Sequence, residues 1–149
     1  MPNEIFKKCH EIDLIVQKLL ILAKENGKVM IITNAADGWV ELSAQRFLPY
    51  TFEVLRTDIE IVSARSKFER ELPGQYHEWK ARAFLDVTEK LEMQAITNII
   101  ALGDNVFEID AAHKLHQQFQ KDNAFIKTVK FRSNPSTAEL IKQIKLVYE

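Results

Sequence analysis

The sequence predicts an α/β domain, in which a mainly parallel sheet lies between two layers of helices. Its 149 residues are 46% hydrophobic and 28% charged, which is typical of one globular domain over residues 1–149. Segments with helical apolar spacing alternate with short apolar runs that are too short to form helices. This alternation favours parallel strands that are joined by crossover helices.

The predicted elements alternate between helix and strand along the whole chain. Helices are predicted at residues 4–25, 39–47, 78–91, 106–119 and 137–147, and strands at residues 29–32, 59–63, 95–102 and 125–131. Pro49 is expected to end the second helix, and residues 64–77 are polar and irregular. Ser136, with Glu139 three residues later, predicts a capping box at the start of the last helix.

Charge and composition argue against several classes of protein. The formal net charge of −1 provides no basic surface for nucleic acid or for anionic lipid. The N-terminus lacks the apolar core of a signal peptide, and no apolar run is long enough to span a bilayer. Cys9 is the only cysteine, so an internal disulfide is impossible. We therefore expect a cytoplasmic protein that contacts neither nucleic acid nor membrane.

Polar side chains follow three of the predicted strands, at the point where each strand ends. Thr33-Asn34 follows the first strand, Ser63 closes the second, and Gly103-Asp104 follows the third. Ligands bind beyond the carboxyl ends of strands in open parallel sheets, so we expect these side chains at one rim. A single Thr or Ser at a strand end is more often turn chemistry. Three such ends in succession indicate a binding site.

Asp104 and Glu108 form the most informative local pattern. Gly103 permits a sharp exit from the strand, which places Asp104 at the rim and Glu108 just inside the next helix. Two carboxylates so placed can hold Mg²⁺, which prefers oxygen ligands and usually keeps several waters. The alternative is that Asp104 and Asn105 cap the helix, and the local sequence does not decide between the two.

The order of Thr33, Lys80 and the Asp104–Glu108 pair resembles three motifs of the haloacid dehalogenase (HAD) superfamily. These motifs are a Thr or Ser that ends a strand, a Lys near a helix start, and an acidic pair spaced GDxxxD/E. Other segments are similar to a eukaryotic branch of that superfamily, and the resemblance covers residues 12–147. The segments that carry it are residues 29–35, 38–43, 61–65, 78–80 and 127–131.

The resemblance implies a fold and a role for each of these residues. It implies a Rossmann-like core whose ligand is phosphate or a small phosphorylated molecule. It implies that Thr33, Asn34 and Lys80 bind the phosphoryl group. It also implies that Asp104 and Glu108 help to hold Mg²⁺.

The chain departs from the superfamily at the nucleophile. The family pattern requires an earlier strand ending in DxDxT, whose first Asp attacks phosphorus while the second is the general acid/base. Residues 1–11 contain no aspartate, and Asp13 lies within an amphipathic helix, so we interpret Asp13 as structural. An alternative alignment that ends this motif at Asp37-Gly38 places Ala35 at the nucleophile and also fails.

Three functions are compatible with this pattern. The first is a phosphatase-like domain that binds phosphate and Mg²⁺ weakly and has no catalysis of its own. The second is an active Mg²⁺-dependent phosphatase whose nucleophile strand comes from an upstream segment or a partner chain. The third is a protein-interaction domain without a ligand.

Loss of the nucleophile strand also affects the expected sheet. Unpaired buried backbone groups cost about 1–3 kcal/mol each. We therefore expect the strands at residues 29–32 and 95–102 to pair directly, or the N-terminal segment or a partner chain to fill the gap. An incomplete sheet also favours self-association.

Overall fold

The computed structural model describes residues 3–91, 98–119 and 125–149, which form a mixed α/β structure. The described helices are α1 Asn3–Asn26, α2 Trp39–Phe47, α3 Pro49–Leu55, α4 Ala64–Phe68, α5 Tyr76–Leu91, α6 Val106–Phe119 and α7 Thr137–Tyr148. The described strands are β1 Met30–Thr33, β2 Glu60–Ser63, β3 Asn98–Gly103 and β4 Phe125–Lys130. The predicted alternation of helices and parallel strands is confirmed. Residues 95–97 of the predicted third strand lie outside the described residues.

Two short helices lie where the sequence predicted none. Helix α3 begins at Pro49 itself, because proline fits the first helical position, where no N–H is needed. Helix α4 follows β2 directly, and the Ser63 side chain caps it by accepting the Ser66 N–H. The predicted capping box at Ser136 and Glu139 is confirmed at the start of α7.

The four described strands form two separate parallel pairs, β1–β2 and β3–β4. The predicted direct pairing of the first and third strands is therefore wrong. Strand β3 instead pairs with β4 over its whole length, and helix α6 packs against both strands. The N-terminal segment does not add a strand either, because residues 3–26 form helix α1, as their apolar spacing predicts.

The contacts divide the chain into two compact units. Unit 1 consists of Met1–Ile31, Asp37–Ile61 and Asn134–Glu149, and unit 2 consists of Ile32–Ala36 and Val62–Ser133. Helices α1, α2, α3 and α7 belong to unit 1, while α4, α5, α6, β3 and β4 belong to unit 2. A single domain over residues 1–149 stays a prediction.

Unit 1 holds its short helix α3 in place through a buried aspartate. Asp13 of α1 is fully buried, and its carboxylate accepts the N–H groups of Tyr50 (3.0 Å) and Thr51 (2.7 Å). The Thr51 hydroxyl donates in return to the carbonyl of Asp13 at 3.2 Å. A seven-residue helix is marginal by itself, so these bonds anchor its first turn to α1. The interpretation of Asp13 as structural is confirmed.

Unit 2 contains the β3–β4 pair, against which helix α6 packs. The strands run in register from Asn98 opposite Phe125 to Gly103 opposite Lys130. Ala101 is buried on the side of α6, whereas Ile100 is 64% exposed on the other face. Helix α5 packs against α6 in turn. None of the helices in the described part of the chain is long and apolar enough to cross a bilayer.

Candidate functional site

All five residues that the sequence selects for the site lie in unit 2. Thr33 is the last residue of β1, Asn34 follows it, and Lys80 lies one turn into α5. Asp104 follows β3, and Glu108 lies in the first turn of α6. Hydrogen bonds connect the loop after β1 to α5, and α5 to α6.

Thr33 shapes the loop that follows β1. Its hydroxyl oxygen accepts the Ala35 N–H at 3.1 Å, which is the turn chemistry expected of a Thr at a strand end. Ser63, at the end of β2, donates its hydroxyl to the Ala35 carbonyl at 2.6 Å and so ties this loop to α4. The hydroxyl hydrogen of Thr33 has no acceptor within the described ranges and remains available as a donor.

Asn34 connects the same loop to the start of α5. Its side-chain amide donates to the carbonyl of Tyr76, the first residue of α5, at 3.0 Å. In a regular helix this carbonyl also accepts the Lys80 N–H, so Asn34 lies beside the turn that carries Lys80. The amide oxygen of Asn34 is buried and has no hydrogen-bond partner among the residues that the structure describes.

Lys80 and Glu108 form a largely buried ion pair between α5 and α6. The Lys80 ammonium contacts Oε1 of Glu108, and the two side chains are only 16% and 8% exposed. Oε2 of Glu108 accepts the Asn105 N–H at 3.0 Å. Asn105 directly precedes α6, so Glu108 caps its own helix from the third helical position. Glu108 thus contributes to the start of α6, and capping by the Asp104 and Asn105 side chains stays a prediction.

Gly103 is required at the end of β3 by the close approach of Glu108. A β-carbon at position 103 would lie 2.7 Å from Cγ and 2.9 Å from Cβ of Glu108, which no real contact allows. The backbone of Gly103 is not left-handed, so the predicted sharp exit is not the reason for the glycine. The reason is the space that the Glu108 side chain needs.

Gly103→Ala is therefore expected to lower the free energy of unfolding by about 1–3 kcal/mol, because the added methyl group displaces Glu108. Urea denaturation measures the change. Gly27→Ala is the matched control, since nothing lies within 4 Å of that position and its backbone is not left-handed. There the change is expected to be neutral or to stabilise by about 0.4–1 kcal/mol. Equal effects at both positions would contradict the role of Gly103.

Asp104 and Glu108, the predicted Mg²⁺ ligands, lie in different surroundings. The Asp104 side chain is exposed, and the backbone carbonyl of Asp104 accepts the Ser133 hydroxyl at 2.8 Å. Both oxygens of Glu108 are engaged by Lys80 and Asn105. Residues 3–91, 98–119 and 125–149 contain no group of three or more acidic, His or Cys side chains suited to a metal ion. The predicted Mg²⁺ binding stays a prediction.

Other polar residues near the strand ends have structural partners. Arg65 donates to Glu69 at 3.1 Å, which raises the pKa of Arg65 and leaves it as a surface ion pair. Sequence reasoning missed Tyr76, whose carbonyl binds Asn34, because a backbone contact over 42 positions leaves no local signal. No family model, curated protein or solved structure matches the chain.

Proposed function

We propose that this chain is a HAD-like, phosphatase-like domain that binds phosphate or a small phosphorylated ligand without hydrolysing it. The observation that carries the proposal is the hydrogen-bonded connection from Asn34 through the first turn of α5 to Lys80. The finer fold, a three-layer Rossmann-like sandwich, and a cytoplasmic location belong to the same proposal. The paired parallel strands support the fold, and the strand-end polar groups support the site.

Lys80 and Thr33 provide hydrogen-bond donors of the kind that bind an anion. The Lys80 ammonium has three hydrogens, of which the contact with Glu108 uses one. Thr33 supplies a hydroxyl hydrogen, and phosphate oxygens would accept the hydrogens of both groups for which the described residues supply no acceptor. The Glu108 charge neutralises that of Lys80, so we expect weak, millimolar affinity for inorganic phosphate.

The connected residues, from Asn34 through Lys80 to Glu108, do not include a nucleophile. Glu108 is the carboxylate among them, and both of its oxygens are engaged. Ala35 follows Asn34 where the alternative alignment would need an aspartate. Without an attacking carboxylate, the phosphorus–oxygen bond of a bound ester would stay intact.

A phosphatase assay with a generic aryl phosphate and Mg²⁺ is expected to show no turnover above buffer. Inorganic phosphate is expected to raise the thermal midpoint by a few degrees once it exceeds its dissociation constant. Turnover that disappears in Asp104→Ala would contradict the inactive assignment. A midpoint that phosphate leaves unchanged would instead favour the ligand-free interaction domain.

A second candidate is an active Mg²⁺-dependent phosphatase that obtains its nucleophile strand from elsewhere. The observation that favours it is that the described strands form sheets of only two strands each, and a sheet of this size can be extended by a further strand. A partner strand could pair with such an edge. The reading frame upstream of Met1 provides the test: an apolar run followed by Asp-x-Asp would support this candidate, and turnover by the extended chain would establish it.

A further inference from the structure

The carboxylate of Glu108 is enclosed on every side that the structure describes. Its side chain is 8% exposed, Lys80 and Asn105 occupy one oxygen each, and Gly103 approaches it too closely to carry a side chain. A carboxylate with so little access to water needs a compensating positive charge close by. Lys80 supplies that charge.

A divalent cation bound by Glu108 would occupy the position that the Lys80 ammonium holds. Binding at Oε1 would displace the Lys80 ammonium, and the displaced ammonium would lose its counter-ion while it remains 16% exposed. Mg²⁺ also gives up its water reluctantly and usually relies on one or two carboxylates with several waters. Asp104 is an exposed carboxylate beside the start of α6, and a single exposed carboxylate binds Mg²⁺ poorly.

We propose that the Lys80 ammonium takes the place of a metal ion at Glu108, so that anion binding by this domain is independent of Mg²⁺. Glu108 is then a positioning residue: it holds the ammonium with one hydrogen bond and leaves two hydrogens for an anion. Asn105 fixes the other oxygen, so the carboxylate cannot turn away from Lys80. The anion part of this inference rests on the proposed function, and the metal part does not.

Thermal unfolding of the full chain tests the proposal in EDTA and in millimolar Mg²⁺, each with and without inorganic phosphate. For the unchanged protein, Mg²⁺ alone is expected to leave the midpoint where it is in EDTA. The phosphate-dependent rise is expected to be the same in both buffers. A midpoint that rises with Mg²⁺ in the unchanged protein, and no longer rises in Glu108→Gln, would overturn the proposal.

Lys80→Met provides the complementary measurement. It is expected to lose the phosphate-dependent rise and to gain a Mg²⁺-dependent one, because Glu108 is released next to Asp104. Lys80→Arg keeps the positive charge and is expected to show the same phosphate and Mg²⁺ responses as the unchanged protein. If the responses of Lys80→Met came only from a damaged structure, restoring the charge would not be the feature that rescues them. Lys67→Met is the matched control, because Lys67 pairs with Asp86 on an exposed surface and neither response should change.

The two proposals can fail separately. If phosphate never moves the midpoint, the phosphate-binding function is wrong, while the comparison of EDTA with Mg²⁺ still decides the role of Lys80. If Lys80→Met does not fold, the midpoints of the unchanged protein and of Lys80→Arg in EDTA and in Mg²⁺ still show whether Mg²⁺ binds at Glu108. Chelex-treated protein that loses its phosphate response until Mg²⁺ is restored would overturn the proposal as well.

Discussion

Replacing Asp13 by alanine is expected to lower the free energy of unfolding by about 2–4 kcal/mol, because it leaves buried donors without an acceptor. The carboxylate is 0% exposed and accepts two backbone N–H groups from the first turn of α3. Alanine would also leave a small cavity between α1 and α3. Urea denaturation followed by circular dichroism measures the loss.

Two further variants distinguish the loss of the Asp13 hydrogen bonds to α3 from a general effect on α1. Asp13→Asn keeps one side-chain oxygen and is expected to lose less stability than Asp13→Ala. Glu11→Ala lies on the exposed surface of the same helix and is expected to change the free energy of unfolding by less than about 0.5 kcal/mol. Similar losses in Glu11→Ala and Asp13→Ala would contradict the capping role.

Removing one partner of the Lys80–Glu108 pair is expected to destabilise the protein by about 3 kcal/mol, because the other charge stays largely buried without a counter-ion. Glu108→Leu also removes the acceptor of the Asn105 N–H, so it should cost somewhat more than Lys80→Met. The double variant replaces both charges by apolar side chains and should lose much less than the sum. Urea denaturation of the four proteins gives the coupling energy.

The Lys67–Asp86 pair provides the control for this double-mutant cycle. Its two side chains are 38% and 45% exposed, and their separation is 3.3 Å. Exposed pairs of this kind couple by about 0.2–1 kcal/mol, because water and salt screen the charges. A coupling between Lys80 and Glu108 that is no larger than this would show that their burial does not matter for stability.

Much of the local structure could be predicted from the sequence. Apolar spacing predicts α1 and α5, compact β-branched runs predict β1 and β2, and Ser136 predicts the cap of α7, because each signal lies within a few neighbouring residues. The sequence does not predict that α3 starts at Pro49, because that helix depends on Asp13, which lies far away along the chain.

The candidate site, too, could be predicted only in part from the sequence. Strand ends and residue order select Thr33, Lys80 and the Asp104–Glu108 pair, and the structure places all of them in one compact unit. The sequence could not show that Glu108 faces Lys80, 28 positions away, instead of an open metal position. A carboxylate at a strand end has the same local pattern whether a metal or an ammonium neutralises it.

The sequence by itself determined the alternation of helices and strands, the absence of a nucleophile motif in residues 1–11, and the polar groups at the strand ends. Only the tertiary structure decided which strands pair, why position 103 must be glycine, and which charge neutralises Glu108. The physical reason is distance along the chain. Periodicity and caps act between residues a few positions apart, whereas buried charges are satisfied by whichever distant group the packing brings close.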